Sequence, residues 1–127
     1  MANLALVGVG GALGSMMRHG VGLAVARVSP VRVTPYATMT VNLAGCLAIG
    51  VLAGLVASQR VTMTPALRAF LFAGVLGGFT TFSSFGLDTF TLAAGGRSGA
   101  AAVNVAIQVA AGLALVAGGY AAAVRLP

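Results

Sequence analysis

Thr38 and Asn42 stand four residues apart in an otherwise apolar run, and Asn104 and Gln108 repeat that spacing in another. Residues four apart share one face of a helix. A third cluster, Thr80, Thr81, Ser83 and Ser84, is interleaved with Phe82 and Phe85 inside the segment GGFTTFSSFG, residues 77–86. None of these side chains is formally charged. Their shared chemistry is weak hydrogen-bond donation. Amide and hydroxyl hydrogens, with the electropositive edges of phenyl rings, can solvate a small anion and still release it, as conduction requires. The other use of such residues is interhelical hydrogen bonding, with the rings as packing. For any single Thr or Ser that second use suffices. Asn42, mid-run with amide donors, points to the lining of a polar track.

The elements that must hold these residues are membrane helices. Of the 127 residues 59% are apolar and 6% charged, against about a quarter charged in a soluble domain. Four runs reach the length of about 20 apolar residues that a bilayer crossing needs: 4–25, 36–57, 66–93 and 100–124. Pro30, Pro35, Pro65 and Pro127 fall between the runs or at the end, where a missing N–H costs least. The connections are short, so each helix is expected beside the next. Residues 1–127 read as one integral membrane domain, all-α, with four transmembrane helices. No Lys or Arg precedes Arg18, so the first run lacks the basic start of a signal peptide and is expected to stay in place.

Within the third run, Gly77, Gly78, Thr80 and Thr81 make a poor helix interior. A break is expected near Gly77–Thr81. It would free backbone carbonyls at membrane depth, which persist only where water, a hydroxyl or a cation satisfies them. Gly10/Gly14, Gly50/Gly54 and Gly74/Gly78 are spaced for close backbone approach between helices.

Charge excludes several functions. The basic residues are seven arginines, scattered rather than clustered, and Asp88 is the only acid; this is no nucleic-acid surface. Four crossings place Arg60, Arg68 and Arg125 on one side and Arg27, Arg32 and Arg97 on the other, with Arg18 making it three against four. The positive-inside rule then gives almost no orientation, so the chain can insert both ways and pair as an antiparallel homodimer. Arg18 can snorkel to the rim and gather anions or anchor to headgroups; His19 beside it reads as interfacial. Cys46 is alone, so no intrachain disulfide forms. Ser15 and His19 lie in the first run and Asp88 far off in the third; spread over different runs, they make no catalytic triad, so the chain is not expected to be an enzyme.

The segments GGALGSMMR (10–18), TVNLAG (40–45) and GVLGGFTTFSSF (74–85) resemble the small fluoride channels of the Fluc (CrcB-type) family over nearly the whole chain. The resemblance implies a dual-topology antiparallel homodimer of four-helix subunits in a prokaryotic cell membrane, exporting fluoride passively and so protecting the cell. It implies a structural sodium ion at the dimer centre on the main-chain carbonyls of Gly77 and Thr80. It places Asn42, Phe82 and Phe85 in the fluoride pathway and Arg18 in the vestibule; Thr38, Ser83, Asn104 and Gln108 extend the pathway. The fourth run departs from the family pattern, with Asn104, Gln108 and Gly112 where many members carry Tyr and Ser. A small multidrug or guanidinium exporter, also short and four-helix, is the nearest rival. It needs a mid-membrane carboxylate, usually in the first run, and that run has none.

Overall fold

The computed structural model describes residues 2–28 and 35–126. Pro30, Arg32 and Pro127 lie outside them. Every regular element among the described residues is helical. Helix α1 spans Ala2–Val28 and α2 spans Tyr36–Ala57. The third run divides into α3, residues 65–79, and α4, Phe82–Ala94. Helix α5 covers Ser98–Arg125.

Local chemistry explains the ends. Thr64 caps α3, its hydroxyl accepting from the Leu67 N–H at 3.2 Å, and Pro65 takes the first helical position, where no N–H is needed. Ser58 closes α2 by donating its hydroxyl to the Gly54 carbonyl at 2.8 Å. Gly96, at φ +75°, turns the chain from α4 toward α5 in a conformation that side chains rarely adopt.

Two stretches widen from α to π geometry, Ala69–Leu76 in α3 and Ile107–Ala111 in α5. Such turns shift the face presented by all that follows and recur at functional sites. No periodicity in the sequence announced them.

Packing follows the glycines rather than chain order. The expectation that each helix lies beside its successor is only partly met: the closest pairings are α1 with α3 and α2 with α5. Between α1 and α3, a Cβ on Gly10 would lie 2.6 Å from the Phe70 carbonyl oxygen, and one on Gly78 would lie 2.9 Å from the Gly11 Cα. Between α2 and α5, a Cβ on Gly119 would lie 2.8 Å from the Leu47 carbonyl oxygen. No hydrophobic effect pulls helices together in lipid, so approach this close is a main source of dispersion energy. The small-residue pairs thus find partners within the chain.

Among the described residues, three helical stretches are long and apolar enough to cross a membrane: Tyr36–Ala57, Pro65–Ala94 and Ser98–Arg125. The expected first span, 4–25, is not among them. It lies inside a helix of 27 residues, but Arg18 and His19 dilute its apolar character. Large apolar side chains face outward, Phe82 at 84% exposure and, within the first run itself, Leu4 at 73%. Water would penalise that surface heavily, whereas lipid or a second protein surface suits it.

Candidate functional site

The break falls at Thr80–Thr81. Thr80 (φ −83°, ψ 160°) and Thr81 (φ −153°, ψ 116°) are extended, whereas Gly77 and Gly78 remain helical. Gly78 is there for α1, which packs on it; the threonines make the interruption. The Thr80 N–H and hydroxyl both donate to the Leu76 carbonyl, at 3.0 and 2.9 Å, ending α3. Thr81 then caps α4, its hydroxyl accepting from the Ser84 N–H at 3.2 Å.

This rewiring diverts two donors. In a continuous helix the Thr81 N–H would serve the Gly77 carbonyl and the Ser84 N–H the Thr80 carbonyl. Here the first goes to Asn42 Oδ1 at 2.8 Å and the second to the Thr81 hydroxyl. The carbonyls of Gly77 and Thr80 therefore lose their helical partners. Among the described residues no group of three or more His, Cys, Asp or Glu side chains could hold a metal ion, so main-chain oxygens are the donors a cation would find here. A hard cation such as sodium suits them, and the donor set fits the implied ion.

Asn42 on α2 binds the extended segment on both sides. Its Oδ1 accepts from the Thr81 N–H, and its Nδ2 donates to the Thr81 carbonyl at 3.1 Å. The carboxamide replaces the strand or helix neighbour that Thr81 lacks, as buried backbone demands. Its second N–H donates to Gln108 Oε1 at 2.7 Å. From there Gln108 Nε2 donates to Asn104 Oδ1 at 2.9 Å, Asn104 Nδ2 to the Thr89 hydroxyl at 2.9 Å, and that hydroxyl to the Phe85 carbonyl at 2.7 Å. Three helices, α2, α4 and α5, are joined by one polar thread.

Around the thread lies a cavity of about 390 Å³, lined among others by Asn42, Thr80, Thr81, Phe82, Phe85 and Gln108. The two phenyl rings are 5.5 Å apart between centroids and inclined by 50°. Residues of both π segments, Phe72 and Leu76 from one and Gln108 and Val109 from the other, complete the wall. A second cavity, about 240 Å³, gathers Arg18, His19, Thr38, Val41, Thr81 and Ser84. Thr81 reaches both cavities.

The sequence-derived residues thus separate into groups. Asn42, Phe82, Phe85 and Gln108 share the first cavity; Thr38 and Arg18 line the second. Asn104 is 2% exposed and meets neither cavity, acting inside the thread. Ser83 is exposed and bonds with the Thr81 hydroxyl at 3.2 Å. Arg18 reaches Ser15, which itself donates to the Gly78 carbonyl, each at 3.4 Å. Thr89 escaped the sequence reading because its role depends on a tertiary partner, Asn104. The capping role of Thr81 escaped it although the bond to Ser84 is local, and a Thr three residues before Ser84 at a helix start was the signal. Asp88 stands apart, with one carboxylate oxygen buried and unpartnered.

The profile of a family described as "CrcB-like protein, Camphor Resistance (CrcB)" matches residues 5–120. The chain belongs to the CrcB-like family. Relatives named fluoride-specific ion channel FluC cover most of this CrcB-like chain. The one from Methylobacillus flagellatus is 45% identical over 116 residues, 91% of this chain and 90% of its own. That from Methylobacterium nodulans is 49% identical over 114 residues, 90% of each chain. The Agrobacterium fabrum protein is 42% identical over 121 residues, 95% of each. Family membership and the long apolar helices together make this CrcB-like chain a multi-pass membrane protein of a bacterial family.

Proposed function

We propose that the chain is a fluoride channel that lets the anion leave the cytoplasm passively, protecting the cell, and that the Thr80–Thr81 break with its cavity forms the pathway. The observation that carries this reading is the convergence of Asn42, Phe82, Phe85 and Gln108 on one space without a charged side chain among them. Dehydrated fluoride needs donors, and conduction needs donors that let go. Phenyl edges and amide N–H groups meet both conditions; a buried guanidinium would retain the ion. Arg18, with Thr38 in the second cavity, supplies positive potential at an entrance, where it raises the local anion concentration without binding it at depth. Ser83 extends the polar surface along α4, and Asn104 serves the pathway from within the thread, where it holds Gln108 on the cavity. No bond is made or broken, so the chain is not an enzyme.

The working unit is an antiparallel homodimer. Support comes from the near-even arginine count and from Phe82, whose ring is 84% exposed in a single chain; a second copy would close the open wall. Helix α1 crosses with the others. At 1.5 Å per residue its 27 residues extend about 40 Å, and its glycines press along α3, inside one of the apolar spans. A sodium ion at the dimer centre would take the Gly77 and Thr80 carbonyls, oxygens whose helical donors the break diverts. A guanidinium-type exporter fits less well, since α1 contains no carboxylate to carry a proton or cation.

The test is efflux from liposomes loaded with fluoride and containing the purified protein, with chloride-loaded liposomes in parallel. Rapid fluoride release with chloride retained is expected; equal release of both, or of neither, contradicts the reading.

A further inference from the structure

A count of amide hydrogens decides which side chain meets the anion. Asn42 Nδ2 has two N–H groups. One is held by the Thr81 carbonyl at 3.1 Å and the other by Gln108 Oε1 at 2.7 Å. Neither remains for a ligand. Gln108 Nε2 also has two, and one goes to Asn104 Oδ1 at 2.9 Å. The other has no acceptor among the described residues, and Gln108 lines the cavity that holds Phe82 and Phe85. The spare hydrogen of Asn104 has no such access, because Asn104 is 2% exposed and lines neither cavity.

Amide orientations are normally ambiguous, since N and O look alike. Here the backbone removes the ambiguity. The thread begins at a group that can only donate, the Thr81 N–H, and ends at one that can only accept, the Phe85 carbonyl. Every link between must point the same way. Turning Asn42 over would set its NH2 against the Thr81 N–H, two donors facing in a buried place. Turning Gln108 over would face its NH2 to that of Asn42 and its oxygen to that of Asn104. Reversing Asn42 breaks three hydrogen bonds and reversing Gln108 breaks two, each leaving buried polar groups unmatched.

We infer that Gln108 supplies the side-chain amide N–H that fluoride accepts in this protein, while Asn42 positions the broken segment and orients Gln108. The inference rests on the fluoride reading above and refines it: the donor sits on α5 rather than α2. The π geometry at Ile107–Ala111 belongs to the same arrangement, since it sets the face on which Gln108 reaches the cavity.

The chain has two glutamines, Gln59 and Gln108, so glutamine labelled with 15N in its side chain yields two amide pairs. Gln59→Asn removes one, and tolerates the positive φ of 57° at that position. Reconstituted protein, already shown to pass fluoride, is titrated with fluoride and separately with chloride while its amide protons are followed by NMR. One Gln108 proton should move downfield and saturate with fluoride, and stay in place with chloride. Gln108→Met keeps the volume and loses the donor; fluoride flux in the folded protein should drop roughly 10- to 100-fold, the loss of a hydrogen bond to a charged partner. Gln108 protons unmoved by fluoride, or full flux in folded Gln108→Met protein, overturn the inference. Absence of fluoride flux in the unaltered protein would instead defeat the fluoride reading itself, before the amides are examined.

Discussion

Asn42 and the phenylalanines differ in what they do, although the sequence shows all three as intrusions in a membrane run. Phe82 and Phe85 have no polar duty that fixes them, and their rings border the cavity. If they serve only as packing, Phe82→Leu or Phe85→Leu should cost some stability and leave fluoride flux intact. The ring-edge account expects a sharp loss of flux in protein that still folds, measured by efflux beside a thermal melt; methionine, which fills irregular space, should do no better. Asn42 carries a structural load as well. Asn42→Ala strips the Thr81 N–H and carbonyl of their partners, so melting should fall by the equivalent of about 1–3 kcal/mol for each unsatisfied group. Asn42→Asp still accepts from Thr81 but brings a carboxylate to an anion path, and its flux should be the lower of the two. These residues were legible because a polar or aromatic group in lipid needs a reason. Their hydrogen bonds were not legible: the link from Asn42 to Gln108 joins residues 66 apart, and nothing in either local sequence announces the other.

At the scale of the element, the third run shows both how far a sequence reading reaches and where it stops. A break near Gly77–Thr81 followed from helix propensity, and the structure interrupts the helix at Thr80–Thr81. The reason differed. Gly77 and Gly78 stay helical, and Gly78 exists for the approach of α1, a fact of tertiary packing. Neighbouring glycines in α5 separate the two roles of this residue. A Cβ at Gly119 meets the Leu47 backbone at 2.8 Å, and one at Gly118 meets nothing within 4 Å. Gly119→Ala should destabilise by about 1–3 kcal/mol through overpacking, whereas Gly118→Ala should hold or gain from better helix propensity; melting in detergent compares them. For the proposed sodium, Thr80→Ser keeps the main-chain carbonyl and the hydroxyl. Crystals of that variant should retain cation density between the two breaks of a dimer; a dimer whose break carbonyls all pair with protein donors, with no cation, would refute the site.

At the scale of the molecule, four apolar runs were legible as helices because membrane helices declare themselves by length and composition. The pairing of α1 with α3 and of α2 with α5 was not, because small residues mark a contact without naming the partner. Orientation rests on the arginines. With charge so evenly divided, single cysteines placed in either connecting region of a Cys46→Ala protein should react from both faces of intact cells, and two added lysines on one connection should bias the ratio. Labelling from one face alone would rule out dual topology. The central claim concerns the ion and its passive movement together, and one electrical measurement addresses both. Purified protein in a planar bilayer should carry current under opposed fluoride and chloride gradients at equal pH on both sides. The current should reverse at the equilibrium potential of fluoride and stay there when a proton gradient is imposed. Reversal at the chloride potential, a shift with the proton gradient, or no current in folded protein would contradict the account.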